Sequence, residues 1–191
     1  GSSNSSINVG NVTATGATGA IQLKGNIAVS TGNLIAPGPV TIGEACGCGF
    51  RPDVDVVGTI GNNTTAPQSI SVTGSTVDVG AVTGTGNVTL RADSGLLTLS
   101  GASAIATADA STVTLTSSGA TPFLFKSINA GNAGTVIINS RNGINQQYLG
   151  TGIRAKTIEL RAQNSDIIGL DSMGGATNLD LLLNGANSLS L

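Results

Sequence analysis

Pairs of aliphatic residues separated by one residue recur along the chain, and they alternate with breaks rich in Gly, Asn and Ser. A hydrophobic period of two predicts β-strands with one buried face. The pairs are Ile21/Leu23, Val40/Ile42, Ile70/Val72, Val88/Leu90, Val113/Leu115, Val136/Ile138, Ile158/Leu160 and Leu179/Leu181. Their first residues are 19, 30, 18, 25, 23, 22 and 21 positions apart, which indicates one short unit repeated along the sequence.

Each unit also contains later apolar positions, which predict a second and often a third strand. The second positions are Ile27/Val29, Val54/Val56, Val77/Val79, Leu97/Leu99, Phe123/Phe125, Ile168/Leu170 and Leu189/Leu191, with Ile144 alone in one unit. The third positions are Leu34, Val82, Ile105, Ile128, Ile153 and Met173. Asn or Asp beside Gly or Ser marks the turns, as at Asn142 and Asn164. If the units stack, we expect such Asn side chains to hydrogen-bond to their neighbours above and below.

Stacking is favoured because a unit of about 20 residues cannot bury its own apolar face. If each unit forms one coil, its strands pair with those of the adjacent coils, and the inward side chains form a continuous aliphatic column. The sequence therefore predicts an all-β parallel β-solenoid of about seven coils plus a partial one. An antiparallel sandwich is the alternative, but that fold does not require strands at this spacing. A helical bundle is excluded by the lack of a helical apolar stripe.

The longest interval, between Val40 and Ile70, contains the two cysteines. We expect a β-helix segment over 7–191, with an inserted loop at about 43–67 and a tag or linker remnant at 1–6. The chain ends on an apolar pair without a visible capping element, so we expect it to be a piece of a longer rod. Cys46 and Cys48 are spaced C-x-C, for which a local disulfide and two free thiols are both open.

The composition narrows the functional classes. Only 9% of the residues are charged, the net charge is −2 and His is absent. No basic run suggests a nucleic-acid partner, and no apolar run is long enough for a transmembrane segment in this fragment. Without His, acid and base catalysis would need clustered carboxylates, Lys, Tyr or Cys, whereas the ten acidic residues are dispersed. We therefore predict no catalytic residues, no metal site and no cofactor.

The inserted loop is the predicted place for ligand binding, because recognition is often carried by loops on a rigid scaffold. Its candidate binding residues are Glu44, Phe50, Arg51, Asp53 and Asp55. A solvated loop without a ligand is the alternative. Outward positions of the first strand carry Thr41, Ser71, Thr89 and Thr114, and we interpret this column as ordinary β-propensity rather than an ice-binding surface.

Nearly all of the chain from residue 7 to 191 resembles the haemagglutinin-type repeats of filamentous haemagglutinin and related exoproteins of two-partner (type Vb) secretion in Gram-negative bacteria, and three segments illustrate the resemblance. They are 87–101 (NVTLRADSGLLTLSG), 134–144 (GTVIINSRNGI) and 156–167 (KTIELRAQNSDI). The resemblance implies a single-stranded, right-handed parallel β-helix that is exported through an outer-membrane partner transporter. NPNG-like stretches of the secretion domain are absent from the sequence, so the resemblance points to a part of the rod.

The same resemblance implies a function. It suggests a structural and adhesive rod segment of a secreted or surface-attached exoprotein, with a host or bacterial surface receptor or glycan as partner. Some members of the family are tethered to the cell by a cysteine pair, a role that the resemblance offers for Cys46 and Cys48. The alternatives are the stalk of a contact-dependent toxin-delivery exoprotein and a carbohydrate-active β-helix enzyme.

Overall fold

The computed structural model describes residues 5–44, 49, 51–100, 104–147, 152–170, 176–177 and 181–190. Side chains are described for these residues up to 168, apart from residue 104. Over these residues the chain forms short strands joined by turns, and no helix is present. Nearly all strand pairs are parallel, and they build a β-solenoid of about seven turns. The predicted fold class is thereby confirmed.

The strands follow one another around each coil. In chain order they are β1 (Ser6–Val9), β2 (Val12–Thr13), β3 (Ile21–Gly25), β4 (Ala28–Thr31), β5 (Leu34–Ile35), β6 (Val40–Glu44), β7 (Asp53–Val56), β8 (Ile70–Gly74), β9 (Val77–Val79), β10 (Val82–Gly84), β11 (Val88–Ala92), β12 (Leu97–Leu99), β13 (Ala104–Thr107), β14 (Thr112–Ser117), β15 (Phe123–Phe125), β16 (Ser127–Asn129), β17 (Thr135–Ser140), β18 (Ile144–Gln147), β19 (Ile153–Ala162), β20 (Ile167–Leu170), β21 (Ala176–Thr177) and β22 (Leu181–Ser190).

These strands form three faces of the solenoid. Face A contains β1, β4, β7, β9, β12, β15, β18 and β20. Face B contains β2, β5, β10, β13, β16 and the first parts of β19 and β22, and face C contains β3, β6, β8, β11, β14, β17 and the last parts of β19 and β22. The exception is β21, which pairs antiparallel with β20.

Face C confirms the first seven aliphatic pairs of the sequence analysis. Their first residues are aligned from coil to coil in the order Ile21, Val40, Ile70, Val88, Val113, Val136 and Ile158. The eighth pair was wrongly placed at Leu179/Leu181. Leu179 lies outside the described residues, and Leu181 aligns with Ile153 on face B. The partner of Ile158 on face C is instead Leu189, which had been assigned to a second pair.

Face A confirms the second positions from Val54/Val56 to Ile144 but corrects Ile27/Val29 and Ile168/Leu170. Val29 aligns with Val54, and Thr31 aligns with Val56, so the buried pair of β4 is Val29/Thr31 rather than Ile27/Val29. Thr31 can occupy an inward position because its hydroxyl donates a hydrogen bond to the carbonyl oxygen of Gly10. Ile27 is 49% exposed.

The second correction on face A concerns β20. Ile167 aligns with the buried Ile144, whereas Ile168 takes the register of the outward Asn145. The predicted pair Ile168/Leu170 is therefore wrong by one residue. A shift of one position exchanges the two sides of a strand, so the error reverses the predicted orientation.

Face B confirms the third positions Leu34, Val82, Ile105, Ile128 and Ile153, which are aligned through the stack. The sequence analysis missed one member: Ile60, which is fully buried and bridges Leu34 and Val82. Met173, the last predicted member, lies outside the described residues. The position aligned with Ile153 is Leu181.

The range expected as an inserted loop, 43–67, contains parts of the regular coil. β7 supplies a strand to face A with Val54 and Val56 buried, and Ile60 continues face B. The additional length of this coil therefore lies in two turns, one before β7 and one after Ile60. Likewise Ser6, assigned to a tag or linker remnant, is the first residue of β1.

The core is a narrow column of aliphatic side chains from all three faces. Its widest members are Phe123 and Phe125 on β15, which are fully buried and whose ring centroids are 6.2 Å apart at an interplanar angle of 20°. The column extends along the stack because each inward residue contacts its aligned neighbours above and below.

Candidate functional site

The corner between face C and face A carries two of the charged residues predicted to bind a ligand. Glu44 is the last residue of β6, and Arg51 lies two residues before β7. The Nη1 atom of Arg51 is 3.6 Å from Oε2 of Glu44. The structure therefore brings these two predicted residues together as an ion pair across the turn.

Arg51 also contacts a turn residue that was not among the predicted binding residues. Its Nε atom is 3.0 Å from Oδ2 of Asp93, which follows β11. Asp93 also accepts a hydrogen bond from Nε of Arg91. The four residues Glu44, Arg51, Asp93 and Arg91 form the cluster that we call the corner network. Arg91 is aligned with Thr73 of the preceding coil and Thr116 of the following coil. This register could not be predicted from the spacing of the apolar pairs along the chain.

The other two predicted carboxylates lie on face A, outside the corner network. Asp53 accepts a hydrogen bond of 2.8 Å from the hydroxyl of Thr76. Asp55 is aligned with Asp78 of the next coil, so two carboxylates follow one another along the outer surface. Oδ1 of Asp78 is shielded from solvent and has no hydrogen-bond partner among the described residues. The predicted set is thus divided between two places.

Phe50, Cys46 and Cys48 lie outside the described residues. The ligand-binding role of Phe50 and the state of the two cysteines therefore stay predictions.

The corner network links coils. It contains two guanidinium groups and two carboxylates, so its formal charges cancel. Next to it, the hydroxyl of Ser75 donates to the carbonyl oxygen of Arg51, and the backbone N–H of Ser75 donates to that of Pro52. These contacts hold the turn before β7 onto the next coil. Since every charge is matched, electrostatics there favour internal pairing over capture of a charged ligand.

The same corner continues along the stack as an open groove of about 170 Å³. It is lined by Thr116, Ser117, Ser118, Asn139, Ser140, Arg141, Arg161 and Gln163. A second groove of about 570 Å³ lies between the turn after β2 and the turn after Ile60, and its lining contains Thr and small apolar residues without a charged group. The sequence analysis predicted neither groove, because each combines residues from different coils.

Two other kinds of site are not found among the described residues. No group of three or more His, Cys, Asp or Glu is placed to hold a metal ion. No helix of membrane-spanning length and hydrophobicity occurs in this part of the chain.

Comparison with known proteins assigns the chain to no family. No protein-family model, curated protein or solved structure matches the chain. The class is therefore defined by the architecture, a β-solenoid built from sequence repeats.

Proposed function

We propose that this chain is a structural and adhesive rod segment of a large secreted or surface-attached exoprotein of a Gram-negative bacterium, without enzymatic activity. The observation that carries the proposal is the continuous alignment of face C through seven coils, from Ile21 to Ile158. At about 4.8 Å per coil, such a stack is a stiff body of roughly 35 Å.

The haemagglutinin-type segments support the proposal by their positions in the coil. The segments 87–101, 134–144 and 156–167 each contain a face C strand, the following corner and the start or whole of a face A strand. The resemblance therefore follows one structural unit repeated in successive coils. In this proposal an outer-membrane partner transporter exports the chain. Surface receptors or glycans then attach to the outward faces of the solenoid.

The outer side of face C also suits attachment to a partner surface. Thr41, Ser71, Thr89 and Thr114 are aligned on the outer side of face C. Such hydroxyl-bearing side chains keep an exposed sheet hydrated without a strong charge. With 9% charged residues in the sequence, attachment would depend on hydrogen bonds and a few placed charges.

The test is an attachment assay. Beads coated with the purified chain should adhere to host cells, bacteria or matrix, and excess soluble chain should abolish the adhesion. In parallel, the chain is incubated with a panel of polysaccharides. Absence of competable attachment on every surface, or turnover of a polysaccharide, would contradict the proposal. The export route is tested by measuring secretion with and without a co-expressed partner transporter, and secretion should require the transporter.

A further inference from the structure

The groove at the corner of faces C and A is built from two parallel rows of side chains. One wall is the aligned row of Thr116, Asn139 and Arg161, which are outward positions of β14, β17 and β19. The opposite wall consists of Ser118, Arg141 and Gln163, the residues that follow the aligned positions 117, 140 and 162. The groove therefore runs along the axis of the stack.

The floor of the groove is held by hydrogen bonds between coils. The backbone N–H of Arg141 donates to the carbonyl oxygen of Ser117 over 2.9 Å, and that of Gln163 donates to Ser140 over 3.1 Å. Ser117 and Ser140 are buried, and Oγ of Ser117 accepts a hydrogen bond from the backbone N–H of Leu97. The two walls thus stand on a rigid base, which reduces the entropy lost on binding.

Positive charge distinguishes this groove from the corner network. Arg141 and Arg161 are the charged residues of its lining, one in each of the two rows. Glu159, outside the lining, accepts a hydrogen bond of 2.7 Å from Nη2 of Arg161. With two guanidinium groups in the lining and a single carboxylate paired to one of them, the groove carries a surplus of positive charge. Guanidinium groups bind carboxylates and sulfates through paired hydrogen bonds.

We propose that this groove binds one unit of an acidic saccharide. The acid group is held by Arg141 and Arg161, while the sugar hydroxyls meet the hydroxyl and amide groups of Thr116, Asn139 and Gln163. A volume of about 170 Å³ is smaller than most sites for drug-sized ligands, and it suits a single sugar unit.

Two other ligand classes fit less well. Single-stranded nucleic acid is usually held by stacking on aromatic side chains, and the lining has none. An extended peptide would need free backbone groups at a sheet edge, whereas β14, β17 and β19 pair with one another inside face C.

The inference rests on the proposed function, since it names the ligand class of an adhesive rod. Its test is calorimetric titration of the purified chain with three tetrasaccharides: hyaluronan with carboxylates, chondroitin sulfate with carboxylates and sulfates, and neutral chitin. We expect the acidic probes to bind and the neutral probe not to bind. Comparing the two acidic probes shows whether the groove prefers carboxylate or sulfate.

Matched variants locate the site. R141Q/R161Q should weaken binding of the acidic probes by about tenfold or more. R154Q/K156Q removes the same charge from other positions of β19, where Arg154 contacts Asn132, and should leave affinity within about twofold. E159Q removes the negative charge beside Arg161 and should strengthen binding roughly two- to fivefold. Circular dichroism verifies that each variant keeps its strand content.

Three outcomes overturn the inference: no acidic probe binds, the neutral probe binds equally well, or both double variants lose affinity alike. The attachment assay separates this result from the proposed function. If beads carrying R141Q/R161Q attach as well as the wild type, the groove is not the adhesive site although adhesion stands. If the acidic probes bind in the groove but the beads attach nowhere, the adhesive role fails and the saccharide site stands.

Discussion

The side-chain oxygen of Asn33 accepts a hydrogen bond of 2.8 Å from the backbone N–H of Thr59, one coil further along the stack. Asn11 makes the same contact with the backbone N–H of Asn33, also at 2.8 Å. A polar ladder therefore runs through the corner between faces A and B, where the chain leaves a strand and its backbone groups would otherwise need water.

Asn33→Ala should lower the free energy of unfolding by about 1 kcal/mol, because Thr59 loses its acceptor. The matched control is Asn33→Asp, which keeps an acceptor oxygen. Asp109 already acts in this way towards the backbone N–H of Asn132, at 2.6 Å. Urea unfolding followed by circular dichroism measures both variants. Equal losses of stability for the Ala and Asp variants would contradict the role of the ladder.

Gly80 lies in the same corner, where successive coils approach closely. A Cβ atom on Gly80 would overlap the carbonyl oxygen of Gly58, whereas a Cβ atom on Gly10 would meet nothing within 4 Å. We therefore expect Gly80→Ala to destabilise the chain by about 1–3 kcal/mol and Gly10→Ala to be tolerated. Thermal denaturation of the two variants checks this. A Gly80→Ala variant that melts at the wild-type temperature would show that the coils can separate locally without loss.

Phe125 and Phe123 are the largest fully buried side chains of the column. Phe125→Ala should cost about 3–5 kcal/mol, since a narrow stack can only partly collapse around the cavity. Leu124, on the same strand and 42% exposed, provides the control, and Leu124→Ala should change stability by less than about 0.5 kcal/mol. The urea concentrations at the unfolding midpoints of the two variants measure this difference in stability. Similar midpoints would contradict the inward orientation of Phe125.

The stacked architecture was predictable from the sequence because the inward pairs of face C recur at intervals of 18–25 residues, except where one coil is longer. Val88, Val113 and Val136 follow one another in both the prediction and the register. The errors arose at turns, whose lengths the apolar pattern does not determine. Thr31 is buried although polar, and Ile27 is exposed although apolar, so the alternation alone placed β4 two residues too early.

The candidate site was less predictable because its members come from different coils. Glu44 and Arg51 are seven positions apart, and their pairing across one turn follows from proximity along the chain. Asp93 joins them only because the side chain of Arg51 reaches past the end of β8 to the end of β11. No feature of the sequence specifies that contact before the register of the stack is known.

The corner network yields a prediction about coupling. Arg51→Gln and Asp93→Asn should each destabilise the chain slightly, and a double-mutant cycle should give a coupling of about 0.2–1 kcal/mol. The value is small because the Arg51 side chain is 37% exposed. It should decline in 1 M NaCl, where exposed charges are screened. Zero coupling at low salt would show that the contact does not contribute to stability.

Parallel stacking of the coils is tested most directly by measuring distances between aligned outward residues of face C. Gln22, Thr41, Ser71, Thr89, Thr114, Ile137 and Glu159 occupy successive aligned positions on face C. Spin labels are placed at Gln22 and at Thr114, Ile137 or Glu159, in a background with Cys46 and Cys48 replaced by Ser. Pulsed electron paramagnetic resonance should give separations near 19, 24 and 29 Å, a rise of about 4.8 Å per coil. Separations that do not rise in equal steps with coil number would contradict the solenoid.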